Sequence, residues 1–181
     1  MIREAEASDT AAIAGMEVAG SRFAYKDIVS HENLYIDLSV EGRIPVIERW
    51  IKEKRFELYV YEAPEDGKIR AMMGIGMCED EDKKDTFELH FIYVDPDCVR
   101  MGIGSELLNF FEKKGREKGL EEFVVWVLEQ NMMGRSFYEK NNYIPDGKEK
   151  IFKRWNKKEI RYVKVVDQTL NRDSGCREAN Y

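Results

Sequence analysis

From Phe87 to about Lys118 the chain passes from a strand-like hydrophobic run to a helical one across a short glycine-containing turn. Phe87–Val94 is rich in aromatic and β-branched residues. Strand alternation puts Phe87, Leu89, Phe91 and Tyr93 on one face and Glu88, His90, Ile92 and Val94 on the other. Asp95-Pro96-Asp97 ends the run, because proline cannot continue a ladder and biases its predecessor toward extended geometry. Gly102-Ile103-Gly104 follows, and Ile103, Leu107, Leu108 and Phe111 then recur at helical spacing. Lys113, Lys114, Arg116 and Lys118 gather at the negative end of this helix, and Gly119 stops it. A strand, a glycine turn and a helix N-terminus in this order aim unpaired backbone N–H groups and a positive dipole end at one spot. Such a spot holds phosphate.

The same patterning supplies the other elements. Met1–Glu6 alternates as a short strand, and Ser8-Asp9 opens a helix carrying Ala11, Ala12, Ile13, Met16, Ala19 and Phe23. Ser30 opens a second short helix with Leu34, Ile36 and Leu38. A third starts near Pro45, which suits a first helical turn, and carries Ile47, Trp50 and Ile51. Phe56–Glu62 and Ile69–Met77 read as antiparallel strands around the Pro64–Gly67 turn, and Glu79–Asp85 as a solvated charged loop. Phe123–Leu128 is apolar enough for a buried strand. Asn131 starts a short helix with Phe137 and Tyr138, and strands follow at about Lys150–Arg154 and Ile160–Val166. The order predicts a mixed α/β sheet flanked by helices, with one parallel strand–helix–strand unit near its middle. A single domain is expected over residues 1–167, and a disordered tail over 168–181.

Composition narrows the class without naming a chemistry. Of 181 residues, 35% are charged and 43% apolar, which is ordinary for a soluble globular protein. No apolar run approaches the roughly 20 residues of a membrane span, and MIREAEASD has no apolar core of a secretory signal. Cys78, Cys98 and Cys176 are odd in number and lack metal-like spacing, so reduced thiols, a cytoplasmic location and no metal are expected. A net charge of −6 argues against a nucleic-acid surface.

With 13 glycines, about one GxG triplet arises by chance, so its position behind a strand ending in Asp-Pro is what counts. Leu107 stands where GxGxxG needs its third glycine, and GxxxxGK[ST] is absent; neither dinucleotide fingerprint nor Walker loop is present. Cys98 has no local histidine partner, His31 is isolated, and the pairs Met72-Met73 and Met132-Met133 read as packing.

The segments IYVDP, RMGIGSELL and EQNMMGRSFYEKNNY, in this order, resemble the signature segments of the GNAT superfamily of acyl-CoA-dependent N-acyltransferases. The resemblance covers about residues 1–166. It implies a mostly antiparallel sheet of about seven strands with about four to five helices, and a V-shaped splay between two central parallel strands. It also implies acetyl-CoA as cofactor. The main chain of Ile92, Tyr93 and Val94 would pair with the pantetheine arm. The turn Arg100, Met101, Gly102, Ile103, Gly104 and Ser105 would wrap the pyrophosphate. Val99 stands where the family usually has arginine or glutamine, so one side-chain contact is missing there. By the same resemblance Asn131 hydrogen-bonds the pantetheine or its neighbouring backbone, and Tyr138 faces the cofactor sulfur. A phenol suits protonation of a thiolate of comparable basicity. Asn142 replaces a common glycine and tolerates the left-handed conformation of a helix end.

The resemblance places the acceptor's base at Glu88, acting directly or through water, with His90 able to share the relay. Ser21–Ser39 would build the acceptor wall, with Phe23, Tyr25, Tyr35 and Trp50 as candidate lining. The expected partner is a small-molecule or peptide amine, with neither nucleic acid nor membrane. Homodimers are common in the family, but no residue here selects an interface. A non-catalytic acyl-CoA-binding module on the same fold stays open, as does, more remotely, an interaction protein.

Overall fold

The run Phe87–Val94 is the central strand of a seven-stranded sheet. The structure, a computed structural model, describes residues 1–166; the expected tail and Cys176 lie outside the described residues. In chain order the elements are β1 (Ile2–Glu4), α1 (Thr10–Tyr25), α2 (Val40–Glu53), β2 (Glu57–Glu62), β3 (Ile69–Met77) and β4 (Phe87–Val94). They continue with α3 (Ile103–Glu117), β5 (Glu122–Leu128), α4 (Met132–Lys140), β6 (Ile144–Phe152) and β7 (Lys157–Val165). The sheet order is β1-β2-β3-β4-β5-β7-β6. Every neighbouring pair is antiparallel except β4 and β5, which are joined through α3. This is the mixed α/β fold that the element order predicts.

Two cores sandwich the sheet. Leu107, Leu108 and Phe111 of α3 pack on Met73, Ile75, Phe87, Leu89, Phe123 and Val125. Gly115 lets this helix come close: a Cβ there would lie 2.4 Å from the Phe123 ring. On the opposite face Ile13, Ala14 and Met16 of α1 and Ile47 of α2 pack on Leu58, Val60 and Met72. A third cluster joins Val18, Val29, Leu34 and Leu38 to Leu128 and Trp155, docking the β6–β7 turn against the α1–α2 segment.

The alternation expected for Phe87–Val94 fails at His90. β3 pairs with β4 as Gly74↔Phe91 and then Ile75↔Leu89, so His90 is an extra residue, a β-bulge. Phe87 and Leu89 therefore share the α3 face with Ile92 and Val94, while Phe91 and Tyr93 turn to the α1–α2 face. The four aromatic and aliphatic side chains expected on one face are split between two.

Other departures are local. α2 begins at Val40, capped by Ser39 Oγ accepting from the Gly42 N–H at 3.1 Å, so Pro45 lies inside the helix rather than opening it. The helix expected from Ser30 is a single π-helical turn, Glu32–Ile36, which buries Leu34 and leaves Ile36 exposed. β6 starts at Ile144, because a bulge between Pro145 and Glu149 carries the strand through residues with turn chemistry. The Glu79–Asp85 loop is largely exposed, as expected, and is also tied down. Asp80 and Asp82 accept from Arg161, which is 2% exposed, and Asp80 also accepts from Trp126 Nε1 at 3.1 Å.

Candidate active site

Parallel pairing of β4 with β5 stops at Leu89↔Val125, and beyond it the strands diverge. The β5-facing backbone of Ile92–Val94 is left without a ladder partner. A cleft of about 1030 Å³ opens there, and Glu88, Ile92, Tyr93, Val94, Arg100, Gly102, Gly104, Ser105, Asn131 and Tyr138 all line it. Two of the residues expected at the pyrophosphate turn do not. The Met101 side chain is exposed and its N–H donates to the Cys98 carbonyl at 3.3 Å, while Ile103 is buried in the core beneath α3. The first helical turn alternates sides, so only part of it faces the cleft.

The turn is built by backbone shape. Asp95 Oδ1 accepts from the Asp97 N–H and caps a short 3-10 turn over Pro96–Cys98. Arg100 and Gly102 then adopt φ of 69° and 90°. At Gly102 this left-handed conformation is one a side chain strains, and no atom lies within 4 Å of where a Cβ would stand. The first intrahelical bond of α3 runs from the Glu106 N–H to the Gly102 carbonyl, so the amides of Ile103, Gly104 and Ser105 have no helical acceptor. Anionic groups gain most at such a point. Val99 lines the cleft, and Arg100 is exposed at its rim.

Asn131 caps α4: its Oδ1 accepts from the Gly134 N–H at 3.0 Å, which leaves its amide nitrogen as a donor in the cleft wall. Asn142, just beyond this helix, has φ 65°, the left-handed conformation a helix end needs. Tyr138 is buried, with Phe137 and Tyr143 edge-on to its ring at 5.1 and 5.8 Å. Burial, assisted by Tyr93, holds its phenol well above the ordinary tyrosine value, so it is neutral at physiological pH.

The far half of the cleft is charged and aromatic. Glu88 is 7% exposed, and its Oε1 lies 3.2 Å from His90 Nδ1. Burial alone would raise the Glu88 carboxyl, but His90, Cys78 and Lys150 outweigh it and hold the group below its usual range. Burial pushes the Cys78 thiol up to about 12. Phe23, Tyr25 and Trp50 line the cleft as expected of an acceptor wall; Tyr35 does not, being exposed and stacked on His31 at 4.7 Å. Several lining residues were not visible in the sequence. Glu17 of α1 accepts from Arg43 of α2 at 2.7 Å and from Arg154 of the β6–β7 turn at 3.3 Å, which closes one side. Lys150 and Glu159 stand directly opposite each other on β6 and β7. Charge alternation in those strands was the only available signal, and it names no partner without the register.

The sequence profile of the acetyltransferase (GNAT) family matches residues 26–143. The chain belongs to this family. Solved structures share the GNAT fold. The PaiA N-acetyltransferase of Thermoplasma acidophilum, in complex with coenzyme A, superposes with a TM-score of 0.69 at 21% identity, covering 89% of this chain and 96% of its own. The ribosomal-protein-alanine N-acetyltransferase of Brucella melitensis gives 0.66 at 19%, covering 92% and 99%. YncA of Salmonella typhimurium, with its cofactor acetyl-CoA, gives 0.65 at 18%, covering 93% and 94%. No curated protein matches the sequence. Among the described residues of this GNAT chain, no helix is long and apolar enough to cross a membrane, and no group of three or more His, Cys, Asp or Glu side chains is arranged to hold a metal ion.

Proposed function

We propose that the protein is an N-acetyltransferase that transfers the acetyl group of acetyl-CoA to a primary amine of a small molecule or peptide, by direct attack in a ternary complex. The observation that carries this reading is the continuity of three features in one cleft: the splayed backbone of β4, the left-handed turn before α3, and Tyr138 beside them. The residues present fit the cofactor. The α3 amides and the open space at Gly102 suit a pyrophosphate, and the unpaired Ile92–Val94 main chain suits the amides of a pantetheine arm. When bound, acetyl-CoA supplies an acetyl thioester as the electrophile.

The chain's own groups then divide the work. Asn131 donates from the cleft wall. Glu88, kept ionised by His90, receives the cationic amine in the charged half of the cleft. A backbone N–H of Ile92–Val94 stabilises the oxyanion as it develops. Tyr138, neutral and buried, gives its proton to the departing thiolate. The free thiols Cys78 and Cys98 suit the reducing cytoplasm in which we place the enzyme.

The test is a thermal-shift titration with acetyl-CoA, CoA and adenosine 3′,5′-bisphosphate, followed by amine-dependent thiol release. Both CoA forms should stabilise the fold by about 2.7 kcal/mol at a hundredfold excess over Kd, well above the nucleotide. Stabilisation without release by any amine would leave the acyl-CoA-binding module; no stabilisation would remove both readings.

A further inference from the structure

Two carboxylates stand in the charged half of the cleft on the same face of the sheet, and they differ in what engages them. Glu159 lies on β7 opposite Lys150 of β6 and Leu128 of β5, half-buried, with its side chain in the cleft. The neighbouring buried or half-buried acids are committed. Glu88 contacts His90, Glu17 accepts from Arg43 and Arg154, and Asp80 accepts from Arg161 and Trp126. Among the described residues Glu159 has neither a hydrogen bond nor an ion pair. Lys150, its cross-strand neighbour, sits 4.0 Å from the Trp126 ring centroid instead.

Three ionisable groups from the packed elements face it: Lys150 from β6, Glu88 from β4 and Tyr25 from α1. Tyr25 lies within electrostatic reach of both Glu159 and Tyr138.

We propose that Glu159 takes the proton the acceptor's ammonium group must lose, and that Glu88 holds the amine without taking it. The proposal rests on the N-acetyltransferase reading above. The unengaged carboxylate accepts one proton from the ammonium, and the freed nitrogen lone pair forms the C–N bond. When the C–S bond breaks, Tyr138 protonates sulfur and regains a proton from the cationic amide nitrogen. Glu159 returns the first proton to solvent, so one proton is released per amide formed. Basicity favours this division. Burial pushes the Glu159 carboxyl up to about 7, with Lys150 opposing and Glu88 adding, whereas Glu88 lies below the ordinary range. A base works best when its pKa is near the working pH.

The test is the pH profile of kcat/KM for CoA release, with 2-phenylethylamine, cadaverine and glucosamine as probe acceptors. The wild type should rise through a limb near pH 7. Glu159→Gln should lose that limb and about 10²-fold or more of kcat/KM while keeping its thermal shift with CoA. Glu88→Gln should raise KM for the amine and keep the limb. Retention of the limb in Glu159→Gln, or its loss in Glu88→Gln alone, overturns the proposal and leaves the acetyltransferase reading standing. Absence of release from every amine with CoA binding intact removes that reading and the proposal with it. Should Glu159→Gln not fold, Glu159→Asp decides: a lowered plateau with the limb kept supports the assignment, and an unchanged plateau overturns it.

Discussion

His90 Nδ1 stands 3.2 Å from Glu88 Oε1, and the bulge of β4 at His90 turns Phe91 and Tyr93 onto the same side of the sheet as this pair. One extra residue thus adds two aromatic walls to the face of the strand that carries the carboxylate and the imidazole. In a regular strand Phe91 and Tyr93 would have continued the face of Phe87 and Leu89 beneath α3.

Removing the imidazole should reverse the sign of the Glu88 shift. Burial alone raises that carboxyl, and the His90 imidazole opposes it most strongly. In the wild type the depressed folded-state value contributes stability that is present above the unfolded value near 4.3 and is lost as pH falls through the folded one. In His90→Ala burial dominates, so the Glu88 carboxyl titrates above its unfolded value and costs stability at neutral pH. Carboxyl-carbon NMR of the two proteins should show the Glu88 midpoint moving up, and Tm at pH 7 should fall while Tm at pH 4 falls less.

Tyr138→Phe should lower kcat by about 10²-fold or more with little change in the CoA thermal shift, because the ring still packs against Phe137 and Tyr143. Burial keeps the phenol protonated past its ordinary value, so the wild-type kcat should show no fall near pH 10 that the phenylalanine variant lacks. An unchanged kcat would take the acid role from Tyr138.

How much of this was legible beforehand depends on the range of the interaction. The turn before α3 and the helix start at Asn131 are local, fixed within about two helical turns, and patterning exposed them; the roles of Asn131 and Tyr138 came from the resemblance. Ile69–Met77 and Phe87–Val94 were bounded to the residue, since turn chemistry and charge flank both. The bulge at His90 left no mark, because FELHFIYV reads as unbroken alternation; only the pairing with Gly74 and Ile75 shows the insertion. Lys150 and Glu159 stayed hidden for the same reason. Their places follow from the register of β6 on β7, itself offset by a bulge at Pro145. Pro45 misled directly: its preference for a first helical turn lost to the Ser39 cap six residues earlier.

Gly102 separates shape from charge at the helix N-terminus. Its φ of 90° strains any side chain, yet the space where a Cβ would stand is open. Gly102→Ala should therefore cost about 1 kcal/mol of stability and retain CoA binding with modest loss. Gly102→Glu adds a carboxylate against the α3 amides and should abolish the thermal shift with CoA in a protein that still unfolds cooperatively. Equal loss in both variants would show that conformation matters there and the anion site does not.

Arg161 gives the sharpest test of the fold around the acceptor half. It is 2% exposed and donates to Asp80, Asp82 and Asp146, joining the 79–85 loop to the start of β6 beneath Trp126. Arg161→Met removes the one cation shared by three carboxylates and leaves them facing each other. The loss should be about 2–3 kcal/mol at pH 7, below the value for a fully buried pair because Asp82 is half in solvent. The pH dependence fixes the cause. Hydrogen bonding to Arg161 holds the Asp82 carboxyl well below its usual range, so its contribution is complete above the unfolded value near 3.9 and disappears as pH falls through the folded one. In the variant the carboxylates protonate near their ordinary values, and their repulsion is relieved on acidification. The stability difference between the two proteins, read from urea unfolding at a series of pH values, should be greatest at neutral pH and shrink below pH 4. A difference that does not vary with pH would mean that lost packing around the guanidinium, rather than charge, holds the loop in place.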